Sequence, residues 1–377
     1  SIPGIHQNVI VLDFKSLYPS IIRTFHVDPL ALAVAAHEEN PIEGYDGGKF
    51  SREEFILPEL ISTLWSARDK AKASKNTALS QAIKIIMNSF YGILGTVGCR
   101  FLDSRLVSSI TKRGHEILIQ SKNFIEDAGY QVIYGDTDSV FVLLGSVPDD
   151  QVNVIGEGLT TQLNAWWTNR LREKYDISSF LELEFETHFS KFLMPTVRGS
   201  DAGSKKRYAG LVVDNSNPKK SHLLFKGLES VRSDWSPLAR EFQKELYRRV
   251  FFGEPYEDYI KLTVQQLTDG KYESELVLRK RLRRKLKDYI KNVPPHAQAA
   301  RKAEDIRRQL ELPSLYQSGG WIEYIMTING AEPRQYRESA IDFEFYIERQ
   351  LAPIADAILA FKSSSMDKIL NNQIGLF

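Results

Sequence analysis

The most constraining feature of this sequence is a pair of apolar, β-rich runs separated by a short polar turn. The segment YQVIYGDTDSVFVLL (130–144) has Val, Ile, Tyr and Phe on both sides of Gly-Asp-Thr-Asp, a pattern typical of a β-hairpin. Gly135 permits the tight backbone of the turn, and residues two apart in a strand share a face. The pattern therefore predicts a hairpin that presents Asp136 and Asp138 on the same side.

A third aspartate ends another predicted strand. NVIVLDF (8–14) is an apolar, β-branched run that contains Asp13 near its end, and a helix should begin near Tyr18. Carboxylate oxygens are the hard ligands that suit Mg²⁺, and three of them could hold two cations ~4 Å apart. Asp-x-Asp in a turn is by itself more often an ordinary turn than a metal site. The metal hypothesis therefore depends on all three aspartates, Asp13, Asp136 and Asp138, converging.

Two helices with the polar linker SKNT between them are predicted over 58–74 and 78–94. With so short a connection they should pack as an antiparallel hairpin. If their polar faces meet, the cations could hold an anionic triphosphate while a ring packs against a base; the alternative is a solvated basic stripe. Residues spaced three or four apart lie on the same face of a helix. The polar face of the first helix therefore carries Arg68 and Lys72, and that of the second carries Lys84, Asn88 and Tyr91.

The remaining pattern indicates an α+β body with a mainly helical C-terminal part. A third helix should span about 104–128 and end at Gly129. From Pro237 onward the pattern is mostly helical, with a break at 292–296 and a β-like run at 321–328. Two further strands are predicted, RYAGLVV and LELEFE (181–186). The second alternates strictly, so one of its faces carries Glu182, Glu184 and Glu186.

Charge is distributed unevenly along a chain whose net charge is only +1. Between Lys271 and Arg308 there are 13 Lys/Arg and 5 Asp/Glu, an excess of 13 − 5 = +8, centred on RKRLRRKLK (279–287). Such a run is either a solvated helix face or a phosphate-binding surface. No apolar stretch is long enough to predict a membrane span, no signal peptide is evident, and the single Cys99 fits a reducing compartment.

Several segments resemble, in order and spacing, the signatures of family-B DNA polymerases, and most of all those of its bacterial members. Three are the principal motifs of that family: DFKSLYPSII (13–22), KIIMNSFYG (84–92) and YGDTDS (134–139). The others are KKRYAG (205–210), FKGLESVRSD (225–234) and the thumb-like PPHAQAA (294–300).

The resemblance implies a right-hand polymerase with an antiparallel-sheet palm, two-helix antiparallel fingers and a mainly helical thumb. The implied boundaries are palm 1–50 and 95–235, fingers 51–94, thumb 236–372 and a clamp-binding peptide 373–377. Family-B polymerases carry an N-terminal domain and a 3′→5′ exonuclease before the palm. Because the first signature begins at Asp13, we expect this sequence to be a fragment that lacks both.

The resemblance also implies residue roles. Asp13 and Asp138 would ligate both metals, with Asp136 as an accessory carboxylate and the Phe14 carbonyl as a further ligand. The metals would be two Mg²⁺, with Mn²⁺ as a substitute. The nucleotide would meet Ser16, Leu17, Tyr18, Arg68, Lys72, Lys84, Asn88 and Tyr91, with Lys84 also catalytic and Tyr18 excluding the ribose 2′-hydroxyl.

The remaining implied contacts are with DNA and with a sliding clamp. QIGLF at the C-terminus resembles a clamp-docking peptide, the alternative being a frayed tail. The clamp residues would be Gln373, Ile374, Leu376 and Phe377. Primer–template DNA would meet Tyr134, Lys205, Lys206, Tyr208, Lys226, Arg279, Lys280, Arg281, Arg283 and Arg284.

The expected activity is template-directed DNA synthesis by a DNA-directed DNA polymerase. The chain would add dNTPs to a primer 3′-hydroxyl by two-metal-ion nucleotidyl transfer and release pyrophosphate. A cytoplasmic, nucleoid-associated protein without membrane contact is expected. Two alternatives remain: a DNA-binding, clamp-tethered fragment that needs the missing domains for activity, and a nuclease, which would also use carboxylate-held metals.

Overall fold

The computed structural model describes residues 1–197, 200, 202–213 and 221–371, and the chain divides into two compact units. Unit 1 is His6–Ser190 together with Ser1; unit 2 is Ile2–Ile5 together with the described residues from Lys191 onward. None of the helices in these ranges combines the length and apolar character needed to cross a membrane.

The helices of the described chain begin and end as follows: α1 Leu17–Phe25, α2 Pro29–Val34, α3 Leu57–Ala73, α4 Thr77–Leu94, α5 Ser104–Asp127, α6 Asp149–Tyr175, α7 Pro237–Phe252, α8 Glu257–Thr268, α9 Pro295–Gln309, α10 Phe343–Tyr346, α11 Ala352–Leu359 and α12 Met366–Asn371. A π-helical turn, Ile347–Leu351, joins α10 to α11. The strands are β1 Gly4–Phe14, β2 Ile42–Glu43, β3 Lys49–Phe50, β4 Gln131–Asp136, β5 Ser139–Leu143, β6 Leu183–Met194, β7 Tyr208–Val212, β8 His222–Lys226, β9 Leu278–Leu282, β10 Gly320–Thr327 and β11 Gly330–Pro333.

Strand β1 lies inside the main sheet of unit 1, where the strand order is β4-β5-β1-β6. Its apolar run is buried on both faces, with Val9 to Leu12 at most 3% exposed. A strand covered on both sides needs a continuous apolar run, and that is the pattern that predicted it. β1 pairs antiparallel with β5, in a register that sets Asp13 opposite Ser139.

The predicted helices of unit 1 are confirmed to within a residue or two. Helices α3 and α4 correspond to the predicted helices 58–74 and 78–94, and α5 corresponds to the predicted helix 104–128. Local caps explain the boundaries: the Asn76 side chain accepts a hydrogen bond from the Leu79 amide at 3.1 Å, and α5 is followed by Gly129 at φ 92°. Local sequence therefore determines where these helices begin and end.

The basic run 279–287, which the sequence pattern placed in helical surroundings, is not an α-helix; only its last two residues belong to a helical element, the short 3₁₀ turn Leu286–Asp288. The first half of the run forms β9, the edge of a three-stranded sheet of order β11-β10-β9. Leu278 and Leu282 are buried, whereas Arg279 and Arg281 between them are exposed. Leucines four apart fit a helix and a strand equally well, and pairing with β10 decided the outcome.

Strand β6 also differs from its prediction, because it continues to Met194 rather than ending at Glu186. The second half, HFSKFLM, breaks the strict alternation with the consecutive buried residues Phe192, Leu193 and Met194. A strand covered on both faces loses the two-residue period that made its first half recognisable.

A buried polar node ties the start of β1 to β6 and to the loop after β5. Asn8, which is 1% exposed, donates from its amide to the carbonyls of Gly145 at 3.1 Å and Val147 at 2.9 Å. Its Oδ1 lies 3.0 Å from His188 Nε2, which must therefore carry the proton. His188 Nδ1 is buried and, among the described atoms, has no hydrogen-bond partner. Burial accordingly lowers the pKa of His188.

This node predicts a pH-dependent stability. The folded state binds the His188 proton less readily than the unfolded state, so stability is complete above the unfolded pKa of ~6.5 and falls as the pH decreases below it. In urea unfolding between pH 7.5 and 5.5, His188→Gln, which keeps the donor to Asn8, should reduce this slope by at most about 1.4 kcal/mol per pH unit. The exposed His115→Gln is the control, and an equal slope in both variants would contradict the role of His188.

Candidate active site

One pocket in unit 1 brings together the eight predicted nucleotide-binding residues and two of the three predicted aspartates, Asp13 and Asp138. It has a volume of about 380 Å³ and lies where the end of β1, the turn between β4 and β5, β6 and the α3–α4 hairpin approach one another. Its lining residues are Asp13, Lys15, Ser16, Leu17, Tyr18, Arg68, Lys72, Lys84, Asn88, Tyr91, Thr137, Asp138, Glu184 and Glu186.

Backbone pairing positions the carboxylates at the floor of this pocket. The Phe14 amide donates to the Asp138 carbonyl at 2.8 Å, which fastens the end of β1 to the β4–β5 turn. Thr137 holds that turn with φ 49°, in the left-handed region. Asp13 and Asp138 therefore line one pocket although 125 residues separate them (138 − 13 = 125).

The chain turns sharply after β1 and presents the first turn of α1 to the pocket. Ser16 is in the left-handed conformation, with φ 48°, and its side chain makes no capping hydrogen bond to α1. The N-terminal amides of a helix have no intrahelical acceptors and carry partial positive charge. Ser16, Leu17 and Tyr18 all line the pocket, so this turn is suited to an anion.

The α3–α4 hairpin supplies cations to the opposite side of the pocket. Arg68 and Lys72 come from α3, whereas Lys84 comes from α4. Arg68 Nη1 donates to Ser16 Oγ at 3.5 Å, and its Nε atom is buried with no hydrogen-bond partner in the described part of the chain. A buried guanidinium N–H without an acceptor is costly, and an anionic ligand would satisfy it.

The ring of Tyr18 is held in place from two sides. Its centroid lies 4.7 Å from that of Tyr91, with the ring planes tilted by 56°. On another side, a Cβ placed on Gly114 of α5 would lie only 3.3 Å from Tyr18 Cε1. Burial, followed by the neighbouring Tyr91 and Asp138, raises the pKa of the Tyr18 hydroxyl. Tyr18 is thus a neutral, closely packed ring at the pocket wall.

The floor carries more negative charge than its surroundings neutralise. Burial, the Asp138 charge and then Glu186 and Glu184 raise the pKa of Asp13 to about 7, although Lys84 opposes the shift. Burial also raises the pKa of Asp138, and the charge on Asp136 acts in the same direction. Carboxylates that repel one another in a partly buried site favour an additional cation.

These residues fit a divalent cation as a partial donor set. Within the described ranges, no three His, Cys, Asp or Glu side chains are arranged so that they could hold one metal ion. Mg²⁺ at nucleotide sites is usually held by one or two carboxylates, with substrate phosphates and water supplying the other ligands. Asp13 and Asp138, which line one pocket with the cationic side chains of α3 and α4, match that division.

Other predicted site residues lie outside the lining of the pocket. Asp136, at the end of β4, pairs with Ser139 and accepts a hydrogen bond from Thr137 Oγ1 at 3.2 Å. Phe14 is buried and meets Asp138 through its backbone. Tyr134 is only 5% exposed and packs against Phe141, with ring centroids 5.1 Å apart. The roles of these three residues in metal and DNA binding remain predictions.

The predicted DNA-binding residues of unit 2 fall into two groups. On the β7–β8 hairpin, Tyr208 pairs with Lys226, and Lys205 and Lys206 precede β7 on the surface. A separate groove of about 790 Å³ contains the other predicted basic residues, Arg279, Lys280, Arg281, Arg283 and Arg284. The predicted clamp residues Gln373, Ile374, Leu376 and Phe377 lie outside the described residues.

Sequence analysis assigned no role to three charged residues of the pocket. Glu184 and Glu186 were recognised as one face of a strand, but nothing in the local sequence indicated that this face meets Asp13. Lys15 follows directly after β1 and pairs with Glu182 and Glu184. In the groove of unit 2, Trp321 is one of the residues without a predicted role; its half-exposed ring lies beneath the Arg279 guanidinium, 4.8 Å from ring centroid to Cζ.

The packing of Gly114 against Tyr18 is testable by stability. Gly114→Ala and Gly158→Ala both replace a glycine inside a helix, but only at Gly114 would the new Cβ meet a ring; at Gly158 it would enter open space. The helix-propensity gain cancels in the comparison, so Gly114→Ala should be less stable by about 1–2 kcal/mol in urea unfolding. Equal stability of the two variants would show that Tyr18 is loosely held.

Comparison with known proteins assigns the fold and family. The chain is 51% identical to DNA polymerase II of Escherichia coli (strain K12), over all of this chain and 48% of that protein. It is 28% identical to a DNA polymerase of Thermococcus gorgonarius, over 99% of this chain and 48% of the relative. The solved family B DNA polymerase of Pyrobaculum calidifontis matches with a TM-score of 0.62 at 24% identity, covering 94% of this chain and 45% of that one.

The chain thus spans about half the length of the curated relatives it matches, 48% in both cases. The structural match, at 24% identity, supports the same α+β fold. The family model described as DNA polymerase family B matches residues 2–371. The predicted family is confirmed: this chain belongs to DNA polymerase family B.

Proposed function

We propose that this chain is the polymerising part of a template-directed DNA polymerase that transfers nucleotides from dNTPs to a primer 3′-hydroxyl. One observation carries the proposal: a single pocket contains acidic side chains from β1 and the β4–β5 turn and cationic side chains from the α3–α4 hairpin. A nuclease would need the carboxylates but not the cationic hairpin or the Tyr18 wall. Family membership supports the same assignment.

The triphosphate would lie between the α3–α4 hairpin and the first turn of α1. Arg68, Lys72 and Lys84 would meet the β- and γ-phosphates, and the amides of the α1 turn would donate hydrogen bonds to them. Asn88 and Tyr91 continue the Lys84 face of α4 into the pocket. The orphaned Arg68 Nε would then gain an acceptor.

Two divalent cations would be held by Asp13 and Asp138, with Asp136 and the Phe14 carbonyl as accessory ligands, and would activate the primer hydroxyl and neutralise the leaving pyrophosphate. Lys84 supports the same transfer from the protein side. It is exposed in the pocket and acts electrostatically on both Asp13 and Asp138. An ammonium there stabilises the charge that develops on pyrophosphate and can donate a proton to it.

Tyr18 would select the sugar. Its ring is confined by Tyr91 and by the close approach of Gly114, so it cannot easily withdraw from a substituent on the sugar. A 2′-hydroxyl would therefore meet a fixed ring, and discrimination would come from steric exclusion rather than from a hydrogen bond.

The basic surfaces of unit 2 would hold primer–template DNA through its backbone. The groove around β9 combines five predicted cations with the Arg279–Trp321 stack. The other predicted contacts are Tyr208 and Lys226 in the β7–β8 hairpin, Lys205 and Lys206 just before it, and Tyr134 in unit 1. Phosphate contacts position a duplex without reading its sequence, as template-directed synthesis requires. A steep salt dependence of duplex binding is the direct test.

The C-terminal QIGLF would dock on a sliding clamp, since a terminal Leu-Phe pair suits an apolar pocket. This part of the proposal comes from the sequence alone. Binding of a peptide spanning 373–377 to the clamp, compared with one in which Leu376 and Phe377 are alanine, is the direct test.

Primer extension with Mg²⁺ tests the proposed reaction. Asp138→Asn should lower dNTP-dependent extension on the order of a thousandfold or more, because it removes a charged ligand at the transition state. Asp127→Asn, at the exposed end of α5, is the matched control and should retain wild-type activity. Strand shortening by the wild-type chain would indicate a nuclease. No reaction, with DNA binding intact, would support the inert fragment.

Sugar selection is tested by the ratio of dNTP to rNTP incorporation. Tyr18→Ala should lower this ratio at least tenfold, on the order of 1.4 kcal/mol or more, because it opens space for the 2′-hydroxyl. Tyr91→Ala is the comparison variant: it removes the ring that contacts Tyr18 and should lower the ratio less. A Tyr18→Ala enzyme that keeps wild-type discrimination while still extending with dNTPs would refute this role.

A further inference from the structure

Four basic residues line the described part of the unit 1 pocket. Three belong to α3 and α4, and the fourth, Lys15, follows β1 at the pocket floor. Its Nζ forms a close ion pair with Glu182 and a second one with Glu184 at 3.3 Å. Its amide donates to the Glu182 carbonyl at 2.9 Å, so both its backbone and its side chain are tied to the start of β6. The lysine side chain is 30% exposed, whereas Glu182 and Glu184 are about half exposed.

These contacts determine which carboxylates act freely on the pocket. Glu184 lies on the pocket wall and acts electrostatically on Asp13, but its Oε2 is engaged by Lys15. Glu186 also faces the pocket and acts on both Asp13 and Asp138. Lys15 is therefore ion-paired with one of the two glutamates of β6 that reach the site.

The charged residues that line the pocket are balanced only when Lys15 is counted. Four are acidic (Asp13, Asp138, Glu184 and Glu186) and four are basic (Lys15, Arg68, Lys72 and Lys84), so the formal sum is 4 − 4 = 0. A triphosphate carries roughly four negative charges, which two divalent cations offset. A neutral pocket thus suits the complete metal–nucleotide complex better than it suits bare cations.

We propose that Lys15 is a positioning residue that keeps Glu184 in an ion pair and thereby limits the affinity of the empty pocket for divalent cations. The inference rests on the proposed function, because it concerns the cation site of that reaction. Without Lys15, Glu184 is released toward Asp13 and Asp138, and the floor gains both a negative charge and a mobile oxygen ligand. The site then retains cations that a turning-over polymerase must exchange with each nucleotide.

The test is a double-mutant cycle read by Mn²⁺ binding, followed by electron paramagnetic resonance of the free ion without DNA or nucleotide. Lys15→Met should raise the Mn²⁺ association constant roughly tenfold, as expected when the Glu184 carboxylate becomes free to act as an additional oxygen ligand. In the Glu184→Gln background the same change should have less than about a twofold effect, because there is no carboxylate to release.

Lys49→Met is the matched control, since Lys49 is an ion-paired lysine of the same unit that contacts Glu43 at 3.4 Å and lies outside the pocket; it should not alter Mn²⁺ binding. An unchanged association constant in Lys15→Met overturns the inference. So does an equal increase with and without Glu184, which would show Lys15 acting as a charge alone. Primer extension by the wild type distinguishes failure of this inference from failure of the proposed function. If the wild type extends primers but the double-mutant cycle shows no coupling between Lys15 and Glu184, only the role of Lys15 is refuted. If the wild type neither binds Mn²⁺ nor extends primers, the proposed function is refuted.

Discussion

The site depends on the antiparallel pairing of β1 with β5. Five residue pairs from Val9–Leu143 to Asp13–Ser139 set the register, and the hydrogen bond from the Phe14 amide to the Asp138 carbonyl closes it at the pocket. A shift of one residue would turn Asp13 to the other face of the sheet and place an apolar residue on the pocket floor. The buried run of β1 prevents that shift, because it would have to exchange its packing on both faces.

The pocket separates opposite charges onto different elements. Strands and turns contribute carboxylates, while α3 and α4 contribute the cations Arg68, Lys72 and Lys84. This separation leaves like charges close together and a donor unpaired in the structure without ligand. The pKa of Asp13 is raised to about 7, and the Arg68 Nε has no acceptor among the described residues. A ligand combining metal cations with phosphates would relieve both, which is why the charge pattern and the proposed reaction agree.

Local signals were sufficient for much of this fold. The polar linker SKNT, the helix end at Gly129 and the apolar runs flanking Gly135 predicted α3, α4, α5 and the β4–β5 hairpin within a residue or two. Prediction from hydrophobic periodicity was wrong where the same apolar spacing fits both a helix and a strand. Leu278, Leu282 and Leu286 suit a helix, yet β9 forms because β10 offers a partner strand. Neither the extension of β6 nor the burial of Tyr134 had a local signal.

The sequence by itself determined most of the element types, the chemistry available to the site and the family resemblance, because capping residues, period and side-chain type are properties of short segments. Only the tertiary structure decided which charges meet. It placed Glu184 and Glu186 beside Asp13, set Lys15 against Glu184, and confined Tyr18 with Gly114. These contacts join residues distant along the chain, and their energies depend on distance and burial, which a linear pattern does not specify.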